Sequence, residues 1–149
     1  MPVKQISVTE ASALQAQGAV YLDVRSTREY VDGHPAGAVN IPLFEPDEDT
    51  GEMTPNPDFL RVVQANFPSD TPFLVGCQVG GRSMRAAEVL QAFGYTDLSN
   101  VRGGFDGAYD HVSGRLIDKG WVESGLPVEH HAPPGGSYSH LLAKAAPDR

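Results

Sequence analysis

The sequence predicts an α/β domain with a mostly parallel central sheet flanked by helices on both faces. Three observations point there. Short, largely apolar runs recur, as at 19–24 and 73–76, without the alternation of a half-wet sheet. Segments with helical apolar spacing separate them, most clearly Ala86, Val89, Leu90 and Phe93 at i, i+3, i+4 and i+7. Strand, glycine loop, helix and a further strand then follow one another over 73–101, a βαβ unit. In such sheets ligands bind at the carboxyl ends of strands, and residues 77–82 fall at such an end.

The elements follow in order. Thr9 to Ser12 can cap a short helix that Gly18 ends. Ala19 to Val24 reads as a strand buried on both faces, Thr27 to Val31 as a short helix broken by Gly33 and Pro35, and Val39 to Ile41 as a second short strand. Residues 44–58 carry six acids, three prolines and a glycine, which predicts a surface loop; the spacing of a calcium loop is absent. Phe59, Leu60, Val62, Val63 and Phe67 give a helix face closed by Pro68. Phe73 to Gly76 is a strand, 83–93 a helix, and Leu98 to Val101 a strand. The domain is expected to span 1–129. Residues 130–149 read as a linker, HHAPPGGS, and a tail with a short helix from Tyr138 capped by Ser137.

Composition narrows the partners. Nineteen acids against eleven bases give a formal charge of -8, which argues against nucleic acid and against an anionic membrane. Any anion bound here has to be captured by a local positive site. The opening MPVKQISV lacks the apolar core of a signal peptide, and no apolar run approaches the roughly 20 residues of a membrane span. The lone cysteine excludes an internal disulfide and a thiolate-rich zinc site, so the cytoplasm is the expected compartment. His130 and His131 are adjacent in a linker and seldom converge on one ion; no metal and no cofactor are expected.

The stretch VGCQVGGRS, 75–83, admits two readings. As G-x-x-x-x-G-R-S it is nearly a phosphate loop, but Arg82 stands where a lysine belongs, and a planar fork meets phosphate differently from an ammonium. Some 75 residues also precede it. As a thiol loop it uses every residue. Gly80 and Gly81 let successive amides turn inward as an anion nest, the following helix adds its positive end, and Arg82 adds a full charge beside Cys77. A free thiol with pKa about 8.5 is a few per cent ionised at pH 7, and ionising most of it needs about 2.7 kcal/mol. A helix end supplies about 0.3–1 kcal/mol when exposed and up to about 2 when partly buried, so nest and guanidinium have to contribute as well.

Cys77 to Ser83 resembles the active-site loop of the rhodanese family. Leu22-Asp23-Val24-Arg25 with Glu29-Tyr30, followed by Gly33 to Pro42, resembles its N-terminal signature, and Gly103-Gly104-Phe105 with Gly125 to Val128 its C-terminal one. The resemblance covers roughly 4–129 and implies the three-layer rhodanese-like fold. It also implies sulfurtransferase chemistry: Cys77 takes sulfane sulfur from a donor such as thiosulfate and passes it, through a persulfide, to cyanide or a thiol, a thiol-bearing protein included. Four residues separate Cys77 from Arg82, as in the sulfur-transferring members; the related phosphatases and arsenate reductases have five. A regulatory module that keeps the thiol without turnover, and a phosphatase or arsenate reductase relative, are the alternatives.

The expected catalytic pair is Cys77 and Arg82, with Gln78, Val79, Gly80, Gly81, Ser83, Asp23 and Arg28 binding substrate. Asp23 can orient Arg82 or a neighbouring arginine, or serve as a turn acid. Arg25, Arg28 and Arg85 can present charge at the mouth or form surface ion pairs. His34 reads as a hydrogen-bonding turn residue, Ser83 as a helix cap and Met84 as core. Tyr109 stands at the family's usual tryptophan place, while Trp121 comes four residues before Gly125. The intervening 110–120 looks like an insertion able to reshape the mouth and change the acceptor.

Overall fold

The computed structural model describes residues 3–78 and 81–145. Strand β1 (Lys4–Ile6) leads into α1 (Val8–Ala16). The cap of α1 lies earlier than Thr9: the Ser7 hydroxyl accepts the Glu10 amide at 3.1 Å, and the Glu10 carboxylate accepts the Ser7 amide at 2.9 Å. This reciprocal box satisfies two orphan donors, which Thr9 and Ser12 inside the helix cannot do. Strand β2 (Val20–Asp23) is followed by α2 (Thr27–Asp32), boxed in the same way by Ser26 and Glu29. Strands β3 (His34–Pro35) and β4 (Val39–Asn40) come next.

The acidic stretch 44–58 is more ordered than a plain loop. It holds the antiparallel hairpin β5 (Phe44–Pro46) and β6 (Met53–Pro55), and the Asp47 carboxylate accepts the amides of Asp49 and Thr50 in its turn. Helix α3 (Phe59–Asn66), strand β7 (Phe73–Gly76), helix α4 (Gly81–Ala92) and strand β8 (Leu98–Val101) complete the expected βαβ unit. The insertion folds as a second hairpin, β9 (Ala108–Tyr109) with β10 (Leu116–Asp118). Strand β11 (Val128–Glu129) pairs with β3, and α5 (Tyr138–Lys144) starts from the Ser137 cap.

The main sheet has five parallel strands in the order β1-β8-β7-β2-β4. Successive side chains leave opposite faces of a strand. Leu22, Phe73 and Val75 accordingly join α3, α4 and α5 in one apolar cluster, while Tyr21 and Leu74 join α1, α2 and Trp121 in the other. The molecule is therefore α/β in three layers. The tail shares the first cluster, with Leu141 and Ala145 buried against it. Asn66 donates to the Leu141 carbonyl at 2.9 Å, the Asn40 amide to the Gly136 carbonyl at 3.0 Å, and Arg61 to the Ala145 carbonyl. Trp121 is buried edge-on against Tyr21 and donates to the Pro127 carbonyl, whereas Tyr109 stays exposed.

Candidate active site

The central strands β7 and β2 run side by side with Val75 opposite Leu22 and Gly76 opposite Asp23. Their carboxyl ends therefore deliver Cys77 and Asp23–Arg25 to one place. Gly76 has to lack a side chain there, since a Cβ would lie 2.1 Å from the Tyr21 hydroxyl. Below them, Gly104 (φ +61) presses against the thiol's own backbone: a Cβ would meet the carbonyl oxygens of Cys77 and Gln78 at 2.7 and 2.6 Å. That close approach lets the Phe105 amide donate to the Cys77 carbonyl at 2.8 Å and the Asp106 amide to the Gln78 carbonyl at 2.9 Å. The segment 104–106 thus fixes the start of the loop.

Cys77 is 2 % exposed, and its thiol donates to the Ser83 hydroxyl at 3.4 Å. Ser83 lies inside the first turn of α4, which begins at Gly81, so the sulfur sits against the positive end of a twelve-residue helix. Ser83 donates in turn to Asn100 Oδ1 at 2.5 Å, and Asn100 Nδ2 donates to Gln5 at 2.8 Å. Asn100, at the end of β8, thereby orients the hydroxyl that faces the thiol.

Two arginines stand nearby, and both hold carboxylates. Arg25, 2 % exposed, uses all three of its nitrogens. Its Nε lies 3.0 and 3.1 Å from the two Asp23 oxygens; one terminal nitrogen meets Asp23 and the Gly33 carbonyl, each at 2.7 Å, and the other meets Gln78 Oε1 at 3.0 Å. Its guanidinium lies 4.5 Å from the centre of the Phe105 ring. Burial opposes its charge, but Asp23 outweighs burial and raises its pKa. Gln78 is held from its other end by Asp106.

Arg82 grips Glu29 through both terminal nitrogens, at 2.7 and 3.0 Å. That bond, opposed by burial, raises the guanidinium's pKa, and charge on the Cys77 sulfur acts in the same direction. Glu29 caps α2 as well, accepting from the Ser26 amide and hydroxyl at 3.0 Å each. Partial burial pushes its carboxyl up, but hydrogen bonds from Arg82 and Ser26 and the Arg82 charge outweigh it and bring it down to about 2.

The structure thus brings Cys77, Gln78, Gly81, Arg82, Ser83 and Asp23 together. Val79 and Gly80 lie outside the described residues. Asp23 orients Arg25, not Arg82, because it ends the strand two residues before Arg25. Arg25 is buried and ion-paired instead of presenting a free charge at the mouth. Arg28 and Arg85 are exposed, and neither lines the 160 Å³ recess beside the loop, which is walled by Arg25, Glu29, Asp32, Gly33, Gln78 and Phe105. His34 is buried, stacked on Tyr30 at 3.7 Å, its ring nitrogens meeting the Tyr30 and His131 carbonyls at 2.8 and 2.9 Å. The sequence reading gave no role to Glu29, Asn100 or Phe105. For Glu29 a signal existed: Ser26-x-x-Glu29 is a capping-box pattern and fixes the carboxylate beside the loop.

Residues 7–111 match the Rhodanese-like domain. The chain is 36% identical over 124 residues to thiosulfate sulfurtransferase 16, chloroplastic, of Arabidopsis thaliana, covering 83% of this chain and 91% of that one. It is 35% identical over 103 residues to thiosulfate sulfurtransferase GlpE of Pseudomonas entomophila, covering 69% and 82%. Among solved structures, Rv0390 from M. tuberculosis superposes with a TM-score of 0.68 at 29% identity, over 88% of this chain and all of that one. A single cysteine at the carboxyl end of a central parallel strand, a glycine loop, a helix and these matches agree: the chain belongs to the rhodanese-like domain family.

Proposed function

We propose that the protein is a sulfurtransferase in which Cys77 is the nucleophile. The observation that carries this reading is the thiol's seat, at the end of β7 and against the first turn of α4. The relatives named thiosulfate sulfurtransferases support the donor class. The Cys77 thiolate attacks the terminal sulfur of thiosulfate; a Cys77–S–S⁻ persulfide forms, the donor's S–S bond breaks, and sulfite leaves with the electron pair. Cyanide or a thiolate then attacks the outer sulfur, giving thiocyanate or a new persulfide and restoring the Cys77 thiolate. This is covalent, ping-pong catalysis.

The persulfide anion gains from the end of the helix that begins at Gly81 and from the Arg82 charge. Cys77 is 2 % exposed, so the donor has to gain access to its sulfur before the bond can form. A lone thiol suits a reducing compartment, and we assign the cytoplasm. Among the described residues no helix is long and apolar enough to cross a membrane. Cys77→Ser should fold with an unchanged unfolding midpoint and make no thiocyanate from thiosulfate and cyanide. Turnover near the wild-type rate in that variant would exclude the mechanism.

A further inference from the structure

The walls of the recess beside Cys77 carry more negative than positive charge. The recess adjoins the backbone of Cys77: Gln78 follows Cys77 in the chain, and the Phe105 amide donates to the Cys77 carbonyl. Its two nearest guanidinium groups are already matched, Arg25 by Asp23 and Arg82 by Glu29. Asp32 lines the recess, and Asp106 holds the Gln78 amide at its edge; both are exposed, and among the described residues neither joins an ion pair. The lining itself holds one guanidinium, Arg25, and two carboxylates, Glu29 and Asp32, with Asp23, Arg82 and Asp106 behind them as the partners of Arg25, Glu29 and Gln78. Arg102 is engaged with Asp118, and Arg28 and Arg85 lie outside the lining. The net charge of the chain, -8, has the same sign. A cleft focuses such a field on whatever enters it.

We propose that this recess selects the sulfur acceptor by charge, favouring a cationic or neutral thiol over an anionic one, with Asp32 and Asp106 as its specificity-determining residues. The proposal rests on the sulfurtransferase reading and names its acceptor class. In the step concerned, the acceptor thiolate attacks the outer sulfur of the Cys77 persulfide. A new S–S bond forms on the acceptor, the Cys77 S–S bond breaks, and its electron pair returns to Cys77 as thiolate. A positive group on the acceptor's far end sits against Asp32 and Asp106 as this happens; a negative one is repelled by them.

The test is single-turnover discharge of the wild-type persulfide by 2-aminoethanethiol, 2-mercaptoethanol and 2-mercaptoethanesulfonate, followed by mass spectrometry and expressed per thiolate. The amine should outrun the sulfonate by about two- to fivefold for each unit of charge that separates them. Raising salt from about 20 to about 500 mM should shrink that ratio, and so should Asp32→Asn and Asp106→Asn, each separately. Equal rates, a faster sulfonate, or a ratio indifferent to salt and to both substitutions would overturn the proposal while leaving a sulfur-loaded Cys77 intact. A Cys77 that takes up no sulfur at all overturns the reading beneath it and the proposal together. The salt series needs no variant, so the answer does not depend on either substitution folding well.

Discussion

Glu29 carries two duties with one carboxylate: it caps α2 and it holds the Arg82 guanidinium in place beside the thiol. Its consequence for stability has a definite sign. The folded-state carboxyl, at about 2, lies below the ordinary glutamate value of about 4.3, so its contribution is complete above that ordinary value and disappears as pH falls towards 2. Allowing for its partial exposure, about 1–2 kcal/mol is expected. Urea unfolding of wild type and Glu29→Gln from pH 7 to pH 2 should show a gap of that size that closes through this window. A gap constant with pH would mean that the Arg82 pair contributes nothing. At this scale the position of Cys77 was legible, because an apolar run precedes it and a helical apolar pattern follows it, as β7 and α4 do. The arginine partners were not: sequence proximity put Arg82 and Asp23 in one site without saying which acid meets which guanidinium. The two-residue step from Asp23 to Arg25 and the helical position of Glu29 decide it.

The loop works only because the elements around it are placed to hold it. Its root is gripped by 104–106, and Gly104 has no room there for a side chain. A methyl group there would strain a φ of +61 and drive into two carbonyl oxygens, so Gly104→Ala should cost about 1–3 kcal/mol and most of the turnover. Thermal unfolding and the thiocyanate assay read the two effects. A fully active, equally stable variant would show that the segment does not hold the loop. The central strands were readable from continuous apolar runs, since a strand covered on both faces has no polar side. Strand β1 was not, because Lys4 and Gln5 are exposed and only Ile6 is buried. The hairpin of β9 and β10 hid as well: Tyr109, Leu116 and Ile117 are exposed, which removes the alternation that marks a half-buried strand.

Across the whole molecule, the sequence gives the tail a short helix capped by Ser137 but no place to pack. The tail closes one face: Leu141 of α5 is buried in the cluster with Val62 and Val63 of α3. Leu141→Ala should therefore cost about 2–5 kcal/mol in urea unfolding, as a core leucine does. A cost under about 0.5 kcal/mol would mean the helix is only loosely held. The three-layer order puts one helix end, two matched arginines and a buried thiol at the carboxyl edge of a parallel sheet, and the chemistry rests on that convergence. Its most direct measurement is the mass of the intact protein after treatment with thiosulfate and removal of excess donor. The account predicts one added sulfur atom, mapped to Cys77, lost on adding cyanide and absent in Cys77→Ser. An unchanged mass, or sulfur carried by any other residue, would contradict it.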